Sequence, residues 1–229
     1  MNASNKVVAI DGIIGVAKST LLANLIKDDS FSNTIFIQEP VEKYCYYNAQ
    51  GRIYNPLELF YQDPLKNGIL SQMHFSRSLI KNFEDKLISS PEKNYSVLER
   101  SHFSPLIFTN FQYRNGTFSE FTKNYLCEET VQGVKKSLEK LKAEYVAVFF
   151  IDESIDVCLD RINKRERIGE EFISKEYLHN LREEYMGQLD WWRYELGETN
   201  VRRVSGGLSE VDLMQTFKEF YSDIQTQYG

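Results

Sequence analysis

The stretch Lys6–Ile26, KVVAIDGIIGVAKSTLLANLI, decides how the rest of the chain is read. Lys6 to Asp11 is a short β-rich run. Ser19 to Ile26 has the helical period. Between them lies DGIIGVAKST, Asp11–Thr20, which is nearly the phosphate-cradling pattern G-x-x-x-x-G-K-[ST], with Ala17 at the second glycine. Such a loop must leave a strand and open a helix, because its backbone N–H groups and the positive end of the helix together attract phosphate. The loop here does both. Gly12, Ile13, Ile14, Gly15, Val16, Ala17, Lys18, Ser19 and Thr20 are therefore candidate nucleotide contacts. Lys18 is expected to reach the β- and γ-phosphates and the Ser19 hydroxyl to bind Mg²⁺. If φ at Ala17 is negative, the methyl group costs little; a positive φ carries strain on the order of 1 kcal/mol. Gly12 and Gly15 are left to make the sharp turns.

Outward from the loop, strands alternate with helices. Thr34–Gln38 reads as a second strand, Tyr95–Leu98 as a third, Tyr145–Ile151 (YVAVFFI) as a fourth and Val201–Val204 as a last, weaker one. Helices are expected over Asn55–Ser89, interrupted near Asp63-Pro64, and over Ser154–Lys164, Ser174–Tyr194 and Ser209–Gln225. The alternation predicts an α/β fold with a parallel sheet flanked by helices. With 229 residues and neither an internal repeat nor a low-complexity linker, one domain over 1–229 is the simplest account.

The net charge of −6 gives no whole-molecule attraction for a nucleic acid polymer or an anionic membrane, so an anionic ligand needs locally focused cations. Three widely spaced cysteines, Cys45, Cys127 and Cys158, form neither a disulfide framework nor a zinc pattern and suit reduced thiols. His74, His102 and His179 stand alone and read as structural. The first strand begins too early to leave room for a targeting segment, and the apolar runs are too short to span a bilayer; a cytoplasmic location is expected.

Three further constellations could share the loop's chemistry. Glu39-Pro40-Val41 closes the second strand, and Glu99-Arg100-Ser101 closes the third. Ligands of open α/β sheets bind beyond the carboxyl ends of strands, so both carboxylates are expected to face the loop's crevice. Arg161, Lys164, Arg165 and Arg167 put four cations within seven residues at a helix end, followed by Gly169 and Glu170. A solvated face is the usual reading of such a run. In phosphoryl transfer it is also what a closing lid over about 161–171 needs, since arginines neutralise charge spreading over the equatorial oxygens.

Together these pieces resemble the deoxynucleoside kinase family: the phosphate loop, EPV, FYQDP followed by a helical glutamine, ERS-x-x-S, and R-x-x-x-R-x-R with a following glutamate. The resemblance implies a P-loop kinase fold with a five-stranded parallel sheet and an arginine-rich lid. It implies transfer of phosphate from ATP, or another nucleoside triphosphate, with Mg²⁺, to the 5′-hydroxyl of a deoxyribonucleoside, by a homodimer packed through helices. Glu39 resembles the general base and Arg100 the arginine that holds the 5′-oxygen. Ser19 and Glu99 look like the magnesium-side residues. Lys18, Arg161 and Arg165 are implied in catalysis, with Arg167 beside them on the donor. Tyr61 and its partner Glu170 are implied at the sugar 3′-hydroxyl, Gln72 at the base edge and Phe108 stacked on the base, given a one-residue deletion after Ser104. Tyr44 stands where the family usually has tryptophan. Pro105 and Leu79 stand where the cytidine-preferring members carry an acid and an arginine, with Arg77 on a different helix face. Losing that charged pair leaves an apolar place for a 5-methyl group, so a pyrimidine-accepting, thymidine-tolerant enzyme is expected. Two rivals share parts of the pattern. A thymidylate-type monophosphate kinase continues Glu-Pro with glycines rather than Val41-Glu42-Lys43, and its anionic acceptor needs no general base. A regulatory, inactive nucleotide-binding subunit has no chemical need for Glu39, Lys18, Arg100 and the lid arginines together.

Overall fold

The computed structural model describes residues 4–229. The elements run β1 (Asn5–Asp11), α1 (Lys18–Leu25), β2 (Thr34–Ile37), β3 (Tyr46–Tyr47), β4 (Ile53–Tyr54), α2 (Pro56–Gln62), α3 (Pro64–Ile88), β5 (Tyr95–Glu99), α4 (Ser104–Arg114), α5 (Glu120–Leu141), β6 (Ala143–Asp152), α6 (Ile155–Arg165), α7 (Lys175–Leu196), β7 (Val201–Ser205) and α8 (Glu210–Tyr228). Five parallel strands form one sheet in the order β2-β5-β1-β6-β7, and β3 and β4 make a small antiparallel hairpin. The parallel sheet flanked by helices agrees with the sequence reading. The structure adds α4 and α5, for which the sequence reading assigns nothing.

The central strands read as unbroken apolar runs because helices cover both faces. Val7 to Ile10 and Ala147 to Phe149 are fully buried. On one face Phe149 packs edge-on against Phe217 of α8; on the other, Val7, Ile35 and Leu98 meet Phe83 of α3. The edge strand β7 tolerates Arg202 and Arg203 because both side chains find carboxylates, Asp223 and Asp152. The break at Asp63-Pro64 is a helix boundary. Asn55 caps α2, accepting from the N–H groups of Leu57 and Glu58, and Asp63 caps α3, accepting from the Lys66 N–H at 3.1 Å. No helix among the described residues is long and apolar enough to cross a membrane.

The topology positions the site. From β1 the chain moves first to one side of the sheet, building β2 and β5, then to the other, building β6 and β7. The connection leaving β1 and the one leaving its neighbour β5 run in opposite directions, and a crevice opens at the carboxyl ends of these two strands. Asp11, Glu99 and the residues just after β2 all reach that edge.

Candidate active site

The loop after β1 turns sharply three times. Gly12 has φ +141° and Gly15 φ +88°; a Cβ at Gly12 would lie 2.3 Å from the Ile151 carbonyl oxygen, and one at Gly15 would lie 2.6 Å from that of Cys158. Only glycine fits either position. Ala17 is the third turn, at φ 73° and ψ 23°, immediately before α1. The strained alternative is therefore the one this loop adopts. The loop folds around Lys18, whose Nζ donates to the carbonyls of Gly12 at 2.8 Å and Ile13 at 2.7 Å. Burial lowers the Lys18 pKa, and Arg100 lowers it further; Asp11, Glu39 and Glu99 pull the other way, leaving it at about 8.

Asp11 fastens this loop to the segment after β5. Its carboxylate accepts from the Gly12 N–H at 2.9 Å, the Ser101 N–H at 3.3 Å and the Ser104 hydroxyl at 3.0 Å. Arg100 sits between, at φ 72°, with its N–H donating to the Ile10 carbonyl at 2.9 Å. The left-handed backbone turns its side chain back toward β2. There its Nε donates to Glu39 Oε2 at 3.0 Å, Nη1 donates to the Tyr185 hydroxyl at 2.5 Å, and the guanidinium lies 5.5 Å from the centre of the Phe108 ring.

Glu39 also accepts from the Tyr44 hydroxyl at 3.2 Å. Burial pushes its carboxyl up, but Arg100, with help from Lys18 and Arg167, outweighs this and holds it below the ordinary carboxylate value. Glu99 links the two halves of the edge: it accepts from the Ser19 hydroxyl and from the Glu39 backbone N–H. One hydroxyl and one carboxylate suit Mg²⁺, which keeps water and substrate phosphates in most of its positions. Among the described residues no group of three or more His, Cys, Asp or Glu is arranged as a metal cage.

These groups line one cleft of about 860 Å³. Tyr61, Gln72 and Phe108 line it beyond Glu39, as do Leu79 and Pro105. Gln72 is buried, and its side chain bonds to no described residue. Tyr44, packed 4.8 Å from the Phe75 ring, forms a wall there. Burial, with the nearby Glu170 carboxylate, pushes the Tyr61 hydroxyl well above its ordinary pKa.

The basic segment closes the other side. Arg161 donates to the Gly15 carbonyl at 3.2 Å and lies 3.6 Å from Glu153. Arg165 binds both oxygens of Glu170, at 2.6 and 2.7 Å, and Arg167 reaches the same carboxylate at 3.1 Å. The segment rests on α2: a Cβ at Gly169, φ +92°, would lie 2.7 Å from the Glu58 Cα. The sequence-predicted site residues thus line this cleft, Ile14 to Thr20 of the loop included, except Gly12 and Ile13, whose carbonyls turn inward to Lys18. The sequence reading passes over Tyr185 and Asp11. Asp11 carries a local signal, a carboxylate closing the strand before the loop; Tyr185 carries none.

The family model for deoxynucleoside kinase matches residues 8–226. The mitochondrial thymidine kinase 2 of Macaca fascicularis is 28% identical over 187 residues, spanning 79% of this chain and 64% of that protein. The thymidine kinase of ictalurid herpesvirus 1 is 27% identical over 209 residues, spanning 91% of this chain and 82% of its own length. The solved deoxyadenosine kinase of M. mycoides with bound dCTP superposes with a TM-score of 0.72 at 19% identity, covering 95% of this chain and 99% of that one.

Proposed function

The chain belongs to the deoxynucleoside kinase family, and from that membership we propose that it transfers the terminal phosphoryl group of ATP, or another nucleoside triphosphate, to the 5′-hydroxyl of a deoxyribonucleoside, with Glu39 as general base. The observation that carries the reading is the Glu39–Arg100 pair in the same cleft as Lys18. A neutral hydroxyl acceptor needs a carboxylate within reach, and Glu39 is ionised at neutral pH because Arg100 lowers its pKa. The same lowering makes Glu39 a weak base, so its contribution comes from placement: two protein donors fix the carboxylate, one on each oxygen.

The donor's phosphates belong on the loop amides, with Lys18 on the terminal ones. Ser19 and Glu99 are the residues that would hold Mg²⁺, which would supply charge neutralisation for the donor's phosphates. Arg161, Arg165 and Arg167 cover the transferring group when the segment 161–171 closes as a lid. Tyr61 and Glu170 receive the 3′-hydroxyl, the free Gln72 amide pairs with the base edge, and Phe108 stacks on the base. Leu79 and Pro105 make the far wall apolar, which favours thymidine's methyl group over an amino group needing a polar partner. The whole chain acts as one kinase domain, paired as a homodimer, in the cytoplasm.

The test is phosphoryl transfer from ATP and Mg²⁺ to each of the four deoxyribonucleosides and to dTMP, with Glu39→Gln beside the wild type. Nucleoside phosphorylation, strongest on thymidine, should drop about 10²- to 10⁴-fold in kcat in the variant. Transfer to dTMP alone would replace the reading with a monophosphate kinase.

A further inference from the structure

Arg100 has a support that neither the motif nor the cleft accounts for. Tyr185 lies on α7, far along the chain, and is 1% exposed. Its ring packs beside Phe150 of β6, with ring centres 6.0 Å apart, and it forms no part of the cleft wall. Its hydroxyl reaches the Nη1 of Arg100 at 2.5 Å. The helix that carries it is itself pinned to the sheet: Arg182, one turn earlier, grips both oxygens of Asp152 at the end of β6, at 2.8 and 2.7 Å.

Arg100 needs such a support. Its backbone occupies the left-handed region, φ 72°, so no helix or strand continues to orient the side chain. A guanidinium has five N–H donors in one plane. Glu39 fixes the Nε edge and Phe108 lies against the guanidinium, but one hydrogen bond leaves the group free to tilt about that contact. The Tyr185 hydroxyl supplies the second point and fixes the plane. Nη2 then bonds to no described residue and is left for a ligand.

We propose that Tyr185 is a positioning residue for phosphoryl transfer: it holds the Arg100 guanidinium so that its remaining N–H groups meet the acceptor oxygen as charge develops there. The proposal rests on the kinase reading above. A hydroxyl that acts through Arg100 affects the transition state more than the bound substrate, so its loss shows in kcat and spares KM.

The experiment compares wild type, Tyr185→Phe and Tyr221→Phe in steady-state transfer from ATP and Mg²⁺ to thymidine and the other deoxyribonucleosides, with thermal unfolding of each. Tyr221 is the control: its hydroxyl is also in a buried bond, 2.6 Å from Thr34, on the sheet's other strand ends and away from the cleft. Tyr185→Phe keeps the packed ring and should lower kcat about tenfold, with both KM values within about twofold of wild type. Tyr221→Phe should lower the unfolding temperature and keep kcat. The proposal is overturned if Tyr185→Phe keeps wild-type kcat, or if it raises both KM values along with a fall in unfolding temperature like that of Tyr221→Phe. A wild type that phosphorylates no deoxyribonucleoside removes the kinase reading, and Tyr185's role falls with it; an active wild type with an unaffected Tyr185→Phe removes only the role of Tyr185.

Discussion

On one wall of the cleft Lys18, Glu39, Glu99 and Arg100 sit at strand ends or on the first turn of a helix rooted in the sheet; on the other, Arg161, Arg165, Arg167 and Glu170 sit on a helix end and the turn beyond it. The side chains of Arg100 and Glu39 are 8% and 16% exposed, whereas those of Arg165 and Arg167 are 32% and 38% exposed. The sheet wall is held by many short bonds to buried backbone and to Asp11. The arginine wall is held mainly by one carboxylate, Glu170, that two arginines share. The two walls therefore differ in how firmly their charged groups are fixed. On the kinase reading proposed above, a base and a magnesium-side carboxylate must be in place before reaction, because their geometry sets the approach of the acceptor oxygen. On the same reading the arginines follow a moving charge, and their guanidinium groups, about a third exposed, are open to a ligand from the cleft side while Glu170 stays buried beneath them.

The first way to break this contrast is kinetic. Glu39→Gln should cost about thousandfold in kcat, as expected for loss of a general base. Arg165→Gln should cost less, about hundredfold, because Arg161 and Arg167 remain beside it. It should also raise the deoxyribonucleoside KM, since Glu170 loses the bidentate partner that orients it. Steady-state kinetics on thymidine separates the two effects. Unchanged kcat in Arg165→Gln would mean that the basic segment is a solvated face and not a lid.

A second contrast concerns what lies beneath the sheet wall. His102, just past Arg100, is 2% exposed; its Nδ1 pairs with the Tyr145 hydroxyl at 2.7 Å, its ring faces Phe83, and its Nε2 has no partner among the described residues. Burial lowers its pKa from 6.5 to about 3. The folded state therefore keeps His102 neutral where the unfolded chain would protonate it. Stability from this residue is fully present above pH 6.5 and is lost as pH falls toward 3, by about 2 kcal/mol between pH 6.5 and 5. Denaturant unfolding of wild type and His102→Asn at both pH values should show the variant losing correspondingly less. Equal losses would mean that His102 is protonated in the fold.

The parts of the site legible in the sequence are those whose chemistry is local. DGIIGVAKST, Glu39-Pro40-Val41 and Glu99-Arg100-Ser101 each close a strand, so the alternation of strands and helices brings them to one edge without any knowledge of packing. The arginine run was legible as charge, but its contact with α2 was not. Gly169 against Glu58 joins segments far apart in sequence, and only the φ of +92° and the 2.7 Å approach reveal why glycine stands there. Tyr185 was illegible for the same reason. A tyrosine on an apolar helix face, with Leu178, Leu181 and Leu189 around it, reads as core, and its hydroxyl finds a charged partner only because Arg100 arrives from the end of β5. The helices over 104–141 escaped the sequence reading too, although Ser119 caps α5 by accepting from the Thr122 N–H, a local signal that was there to be read.

The smallest expected effect lies within the phosphate loop itself, between its two kinds of sharp turn. Gly12 and Gly15 are forced by contact, since a side chain at either would meet a backbone carbonyl. At Ala17 the side chain is tolerated and the backbone carries the strain, at φ 73°. Left-handed alanine costs on the order of 1 kcal/mol, but glycine there would also loosen the unfolded chain by roughly half that amount. Ala17→Gly should therefore stabilise the protein by only about 0.5 kcal/mol in denaturant unfolding. Gly12→Ala and Gly15→Ala have no such balance and should lower stability or displace the loop. A destabilised Ala17→Gly would show that the methyl group contributes packing that outweighs its strain, so that the departure from the glycine pattern would be a gain for this loop and not a tolerated cost.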